Sequence, residues 1–154
     1  MDLYAFEQKT TATTSVGELV FFENNWQLMV TSPIGGKHLL NLTDGSNSSL
    51  TKIHDESKDI CTGIADSFRW FPNGDVETGI QPSPRHLSIA ITNSGPAIAV
   101  LIQGHPMFFS TAGNLVSSPR RGVLTLVNWS IHVHSTVDSR SWELARVGPL
   151  AEQV

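Results

Sequence analysis

His132 and His134, one residue apart, are the side chains of this chain best placed to do chemistry. They lie in Trp129-Ser130-Ile131-His132-Val133-His134-Ser135, where apolar and polar residues alternate with the period of a strand. Trp129, Ile131 and Val133 then face a core, while Ser130, His132 and His134 face water or a partner. Two imidazoles on one strand face sit roughly 7 Å apart along the chain, which suits two ligands of one metal ion. A third ligand would have to be His38, His54, His86 or His105, and sequence alone places none of them. The plainer alternative is a pair of polar residues on a wet strand face.

The cupin family uses the same H-x-H device, continued by a Glu a few residues on and a further His downstream. Here the corresponding region offers only Asp138, and none of the twenty residues after His134 is a His. The resemblance stops at the pair, and nothing is carried over from it. No G-x-S-x-G nucleophile elbow and no G-x-G-x-x-G occurs. Gly35-Gly36-Lys37 lacks the upstream glycine and the following hydroxyl of a phosphate-binding loop, and fits a hairpin turn. Asp66, Asp75 and Glu77 stand near aromatic residues as a glycosidase pair would, but Asp75 and Glu77 flank a predicted turn, where acidic residues are common. The expectation is a protein that is not an enzyme and carries no cofactor.

Exposed rings would point instead to sugar binding by stacking. Trp70, in Phe68-Arg69-Trp70-Phe71 just before a predicted turn, is the candidate for a rim position, with the loop Asn73 to Gly79 beside it. Trp26 and Trp129 are in phase with aliphatic neighbours and are assigned to the core. Tyr4 is the sole tyrosine, which counts against a lectin-like surface.

The elements that must position these groups are strands. Of the 154 residues, 40% are hydrophobic and only 16% charged, and Ser and Thr fill much of the polar remainder. Such a chain is long enough for one domain with a core of its own and favours sheet over helix. A net charge of −4 with scattered basic residues argues against nucleic acid. Cys61 stands alone, so no internal disulfide forms, and it is expected as a small buried hydrophobe. Residues 1–4 show no secretory signal, and no apolar run approaches the roughly 18 residues of a membrane span. The expected location is therefore a virion if the chain is viral, and otherwise the cytoplasm. The sequons at Asn41, Asn47 and Asn128 read as chance occurrences in a Ser/Thr-rich chain.

Short apolar runs separated by turn signals at intervals of about ten residues predict a β-sandwich or jelly roll of about ten antiparallel strands. Residues 1–15 read as an extended N-terminal arm and 16–154 as a single β-sandwich domain. Asn24-Asn25 and Asn93 to Pro96 mark hairpins, Pro72-Asn73-Gly74-Asp75 a strand-ending turn, and Pro82 with Pro84 a connector at a surface crossing. Ala97 to Ile102 is apolar on both faces, as in a strand covered from both sides. Ser141 to Val147 reads as the last strand; Ser139 to Leu144 could make one helical turn, but Trp142, Leu144 and Val147 fit a strand nearly as well, and no internal repeat is detectable.

A catalytically blank, turn-rich β domain with a polar arm points to a structural or assembly protein. In general character it resembles the small head-decoration proteins that stabilise phage capsids. That class implies protein partners: further copies, expected as a homotrimer, and a larger capsid shell. Tyr4 and Phe6 of the arm, the run Met107, Phe108 and Phe109, and the basic loop residues Arg120 and Arg121 are the candidate interface. The alternatives are a jelly-roll carbohydrate-binding module using Trp70 and, least favoured, a small metal-dependent β-barrel enzyme using His132 and His134.

Overall fold

The computed structural model describes residues 2–44, 50–74, 85–119 and 124–147. A 3₁₀ turn, Leu3–Ala5, precedes fourteen strands: β1 Phe6–Thr10, β2 Leu19–Phe22, β3 Asn25–Thr31, β4 Lys37–Asn41, β5 Leu50–Ile53, β6 Ile60–Ile64, β7 Phe68–Gly74, β8 Ile89–Thr92, β9 Gly95–Ile102, β10 His105–Ser110, β11 Leu115–Val116, β12 Thr125–Leu126, β13 Trp129–Ser135 and β14 Ser141–Val147. They form three antiparallel sheets ordered β1-β6-β2-β3-β4-β5, β11-β10-β9-β8-β12 and β14-β13-β7. The all-β expectation holds, with more strands than the ten or so expected because several are very short. No helix among the described residues is long and apolar enough to cross a membrane.

The structure reveals a duplication that the sequence hides. In the first sheet β6-β2-β3-β4-β5 are neighbours, and in the second β12-β8-β9-β10-β11 repeat that order. The first hairpin pairs Leu19 with Leu28 and Phe21 with Trp26; adding 70 to each number gives the pairs Ile89 with Ile98 and Ile91 with Pro96 of the second. The entry turns match bond for bond. Gly17 N–H donates to Met29 O at 2.8 Å as Leu87 N–H does to Ala99 O at 2.7 Å. Glu18 N–H donates to Ser15 O and Ser88 N–H to Arg85 O, both at 3.1 Å. This turn needs a left-handed residue: Gly17 has φ 94°, and Leu87 takes φ 62° despite its side chain. Across residues 15–31 and 85–101 only Val30 and Val100 are identical, so the repeat is carried by burial pattern and not by residue identity.

The main core lies where the three sheets meet. Leu19, Leu28, Val30, Leu40 and Leu42 come from the first sheet and its margin; Leu87, Ile89, Ile98, Val100 and Phe109 from the second; Trp129, Ile131 and Val147 from the third. Each such side chain contributes on the order of 1.5–3 kcal/mol on leaving water. The opposite face of the first sheet closes on itself: Val20, Met29, Leu39, Ile53 and Cys61 form a second cluster, one residue from each of five strands. The second sheet has a smaller version, Ala90, Ala97, Ala99 and Phe108. Strand β9 is thus covered on both faces, as its composition implies.

β7 follows β6 and β13 follows β12, and these equivalent strands pair with each other, Ser135 against Phe68 through Trp129 against Gly74. Antiparallel pairing of equivalent strands is what an approximate two-fold relation between the halves produces. Here β7 departs from expectation, since it runs through Pro72 to Gly74 and does not stop in a turn. β7 is the edge of its sheet, where a residue without an N–H is tolerated. β14, the expected last strand, is strand throughout. The N-terminal segment opens with the 3₁₀ turn and is built into the domain: β1 pairs along its length with β6, and Ala5, Thr11 and Thr14 are fully buried. Asn47, Asp75, Glu77, most of the Asn73 to Gly79 loop and the Pro82–Pro84 connector lie outside the described residues.

Candidate functional site

The outer face of the sheet β14-β13-β7 brings polar, charged and aromatic side chains together. Burial along β13 alternates strictly: Trp129, Ile131, Val133 and Ser135 are buried, whereas Ser130, His132 and His134 are half-buried. Register then fixes the neighbours. From β7, Arg69, Phe71 and Asn73 stand beside His134, His132 and Ser130. From β14, Ser141, Glu143 and Arg146 stand on the other side, opposite His134, His132 and Ser130. The register shifts between Ile131 and His132, a bulge that passes over Leu144. Without that extra residue Glu143 and Arg146 would not both point outward.

The Phe71 ring lies 5.5 Å from the His132 ring and 5.3 Å from the His134 ring, giving an aromatic centre to the face. Ser130 Oγ donates to Asn73 O at 3.3 Å and lies 3.2 Å from His132 Nε2. Asn73 Nδ2, which can only donate, also lies 3.5 Å from His132 Nε2, so neighbours on both sides engage this nitrogen whichever tautomer the ring takes. A nitrogen so engaged is a poor metal ligand. Among the described residues no group of three His, Cys, Asp or Glu side chains could hold an ion, so the H-x-H pair gains no third ligand there.

At the Asn73 end the face dips into a cleft of about 390 Å³, lined by Asn73, Asn128, Ser130, His132, Glu143 and Arg146 over Trp129 and Val147. Arg146 Nε and Glu143 Oε2 are 3.6 Å apart and well exposed, so this ion pair adds little stability and leaves both groups available. Asn128 Oδ1 is buried and finds no partner among the described residues. Sequence reasoning points to His132 and its strand and, through the loop beside Trp70, to Asn73, but not to Glu143, Arg146 or Asn128. The bulge blurs the period of β14.

Trp70 is elsewhere. It is half-buried, its Nε1–H donates to Gly17 O at 3.2 Å, and it walls a separate cleft of about 420 Å³ with Asp66, Arg69 and Glu18. The indole thus ties β7 to the entry turn of the first half.

The interface candidates divide. Phe108 and Phe109 are 3% and 0% exposed and belong to the two core clusters of the second sheet. They are core and not surface, because β10 is packed on both sides; Met107 is half-buried against the main core. Phe6 is half-buried with its ring 6.1 Å from that of Trp26. Arg120 and Arg121 lie outside the described residues. Tyr4, by contrast, is 88% exposed, and so are Leu3 at 80% and Val137 at 77%.

These three occupy segments that are firmly held. Asp2 accepts from Tyr4 N–H at 2.9 Å and from Arg140, whose Nε donates to Asp138 at 2.9 Å. Ala65 N–H donates to Ala5 O and Thr136 N–H to Ser67 O, so both segments hang on the same β6–β7 connection. The Tyr4 amide and Arg140 hold the Asp2 carboxyl below its ordinary range, and the Arg140 amide and guanidinium do the same for Asp138.

Comparison with protein-family models, curated proteins and solved structures found no match in any of the three.

Proposed function

We propose that this chain is a structural assembly protein that works through surfaces it presents to protein partners, further copies of itself first among them. The observation that carries the reading is the apex formed by residues 2–5 and 136–140. There Leu3, Tyr4 and Val137 project almost fully into solvent from segments anchored on the β6–β7 connection by backbone hydrogen bonds and linked to each other through Asp2, Arg140 and Asp138. Large apolar side chains exposed on segments whose backbone is already hydrogen-bonded avoid the backbone part of the ordering cost of binding. The setting we propose is a virion, with the chain bound to a capsid shell as a decoration protein in a closed oligomer such as a trimer. The turn-rich β architecture supports that setting.

Cross-linking tests the apex. Cys61 is 3% exposed, so an introduced thiol is the only accessible one among the described residues. Under mild oxidation Tyr4→Cys and Val137→Cys should give interchain disulfides, whereas Ile34→Cys, 86% exposed in the β3–β4 turn, should not. No linkage at the apex, or equal linkage at Ile34, would overturn the proposal.

A further inference from the structure

We propose that the cleft on the outer face of β14-β13-β7 binds a neutral, hydroxyl-rich ligand, a saccharide, independently of the assembly apex. The argument begins with the balance of groups. Arg146 and Asn73 Nδ2 offer donors, while the Glu143 carboxylate and the Ser130 hydroxyl oxygen offer acceptors, all on one lining. The one carboxylate and the one guanidinium lie 3.6 Å apart. An anion drawn to Arg146 would meet Glu143, and a cation drawn to Glu143 would meet Arg146, so neither charge is favoured. A hydroxyl donates and accepts at once, and vicinal hydroxyls match alternating donors and acceptors without a net charge.

Two further features fit that chemistry. The aromatic centre beside the cleft, Phe71 against His132 and His134, is half-buried and so keeps part of its surface free to pack on the apolar C–H face of a sugar ring. The β-bulge at Leu144 places Glu143 and Arg146 on this face together, and bulges recur next to binding sites. The site differs from the Trp70 cleft, whose tryptophan already bonds the backbone of Gly17.

The test is a glycan array followed by titration calorimetry with the best hit, using the full chain. Binding should weaken at least tenfold in Glu143→Gln and in Asn73→Ala, two exposed positions whose melting temperatures should stay within a few degrees of the parent. Asp66→Asn, in the Trp70 cleft, should bind as the parent does. Free oligosaccharide and the same glycan on a glycoprotein should bind alike if the sugar alone is recognised; a requirement for the glycoprotein would overturn the proposal by making its protein the ligand. Binding of inorganic phosphate that is lost in Arg146→Gln and unaffected by Glu143→Gln would also overturn it, as would an array without hits. Light scattering on Glu143→Gln should match the parent, which separates failure here from failure of the assembly reading.

Discussion

Leu87 offers the sharpest check on the duplicated architecture, because it occupies a glycine's place. Its φ of 62° puts it in the left-handed region, where Gly17 sits in the other half, yet its side chain is 2% exposed within the main core. The left-handed backbone costs a non-glycine residue roughly 1–2 kcal/mol. Truncating a buried Leu to Ala costs on the order of 2–5 kcal/mol through lost burial and the cavity left behind. Leu87→Ala should bear the whole truncation cost and keep the backbone strain. Leu87→Gly should lose the buried Cβ as well, roughly 0.8 kcal/mol, and add glycine's extra unfolded-state freedom of about 0.5–1 kcal/mol, but shed the strain. The two variants should therefore be about equally stable, whereas at an unstrained buried position the alanine would lead by about 1.5 kcal/mol. For a domain of this size that missing gap is roughly 3–6 °C in melting temperature. Thermal and urea denaturation of both variants measure it directly, and the urea slopes show whether the unfolded state has changed. An alanine variant ahead of the glycine variant by about 1.5 kcal/mol or more would refute the reasoning. In the other half Gly17→Ala should cost about 1–3 kcal/mol, since its φ is 94° and a Cβ would come within 2.8 Å of Ala112 O.

Other consequences can be read from single contacts. Trp129 Nε1–H donates to Leu87 O at 2.7 Å in a buried setting, so Trp129→Phe should cost about 1–3 kcal/mol by urea denaturation, largely from the carbonyl left unpaired. Burial pushes the Cys61 thiol above its ordinary range, and its one hydrogen-bonding neighbour among the described residues is Thr14 Oγ1, at 3.9 Å. A thiol reagent at neutral pH should accordingly label native protein far more slowly than protein in denaturant; equal rates would contradict the packing of the first sheet. The folded state lowers the carboxyl pKa values of Asp2 and Asp138, so the apex is held above the ordinary carboxylate range near pH 4 and is released as pH falls through the lower folded values. The Tyr4 and Arg140 amide resonances should report this with midpoints below about pH 4, moving upward in Arg140→Gln.

What the sequence made legible follows from how each signal is carried. The strand at His132 was readable because an unbroken period of two needs only local residue types, and its burial alternates as the pattern implies. The doubly apolar β9 was readable for the same reason. The duplication was not, since Leu19 with Ile89 and Trp26 with Pro96 share only a place in the core or at a hairpin. Phe108 and Phe109 looked like surface because a short apolar run does not say how many sheets cover it; the inward-closing second sheet covers both sides. Pro72 suggested an end to β7 because a proline's effect depends on whether its strand is an edge, which only the sheet order reveals. The cleft required β7, β13 and β14 to be in register, with a bulge that no local pattern announces.

The central claim is that the chain works by associating through the apex at Leu3, Tyr4 and Val137, and light scattering over a wide concentration range tests it most directly. The account predicts one defined oligomer that Tyr4→Ser combined with Val137→Ser reduces to monomer without unfolding. A parent protein that remains monomeric at the highest concentrations reached would contradict it.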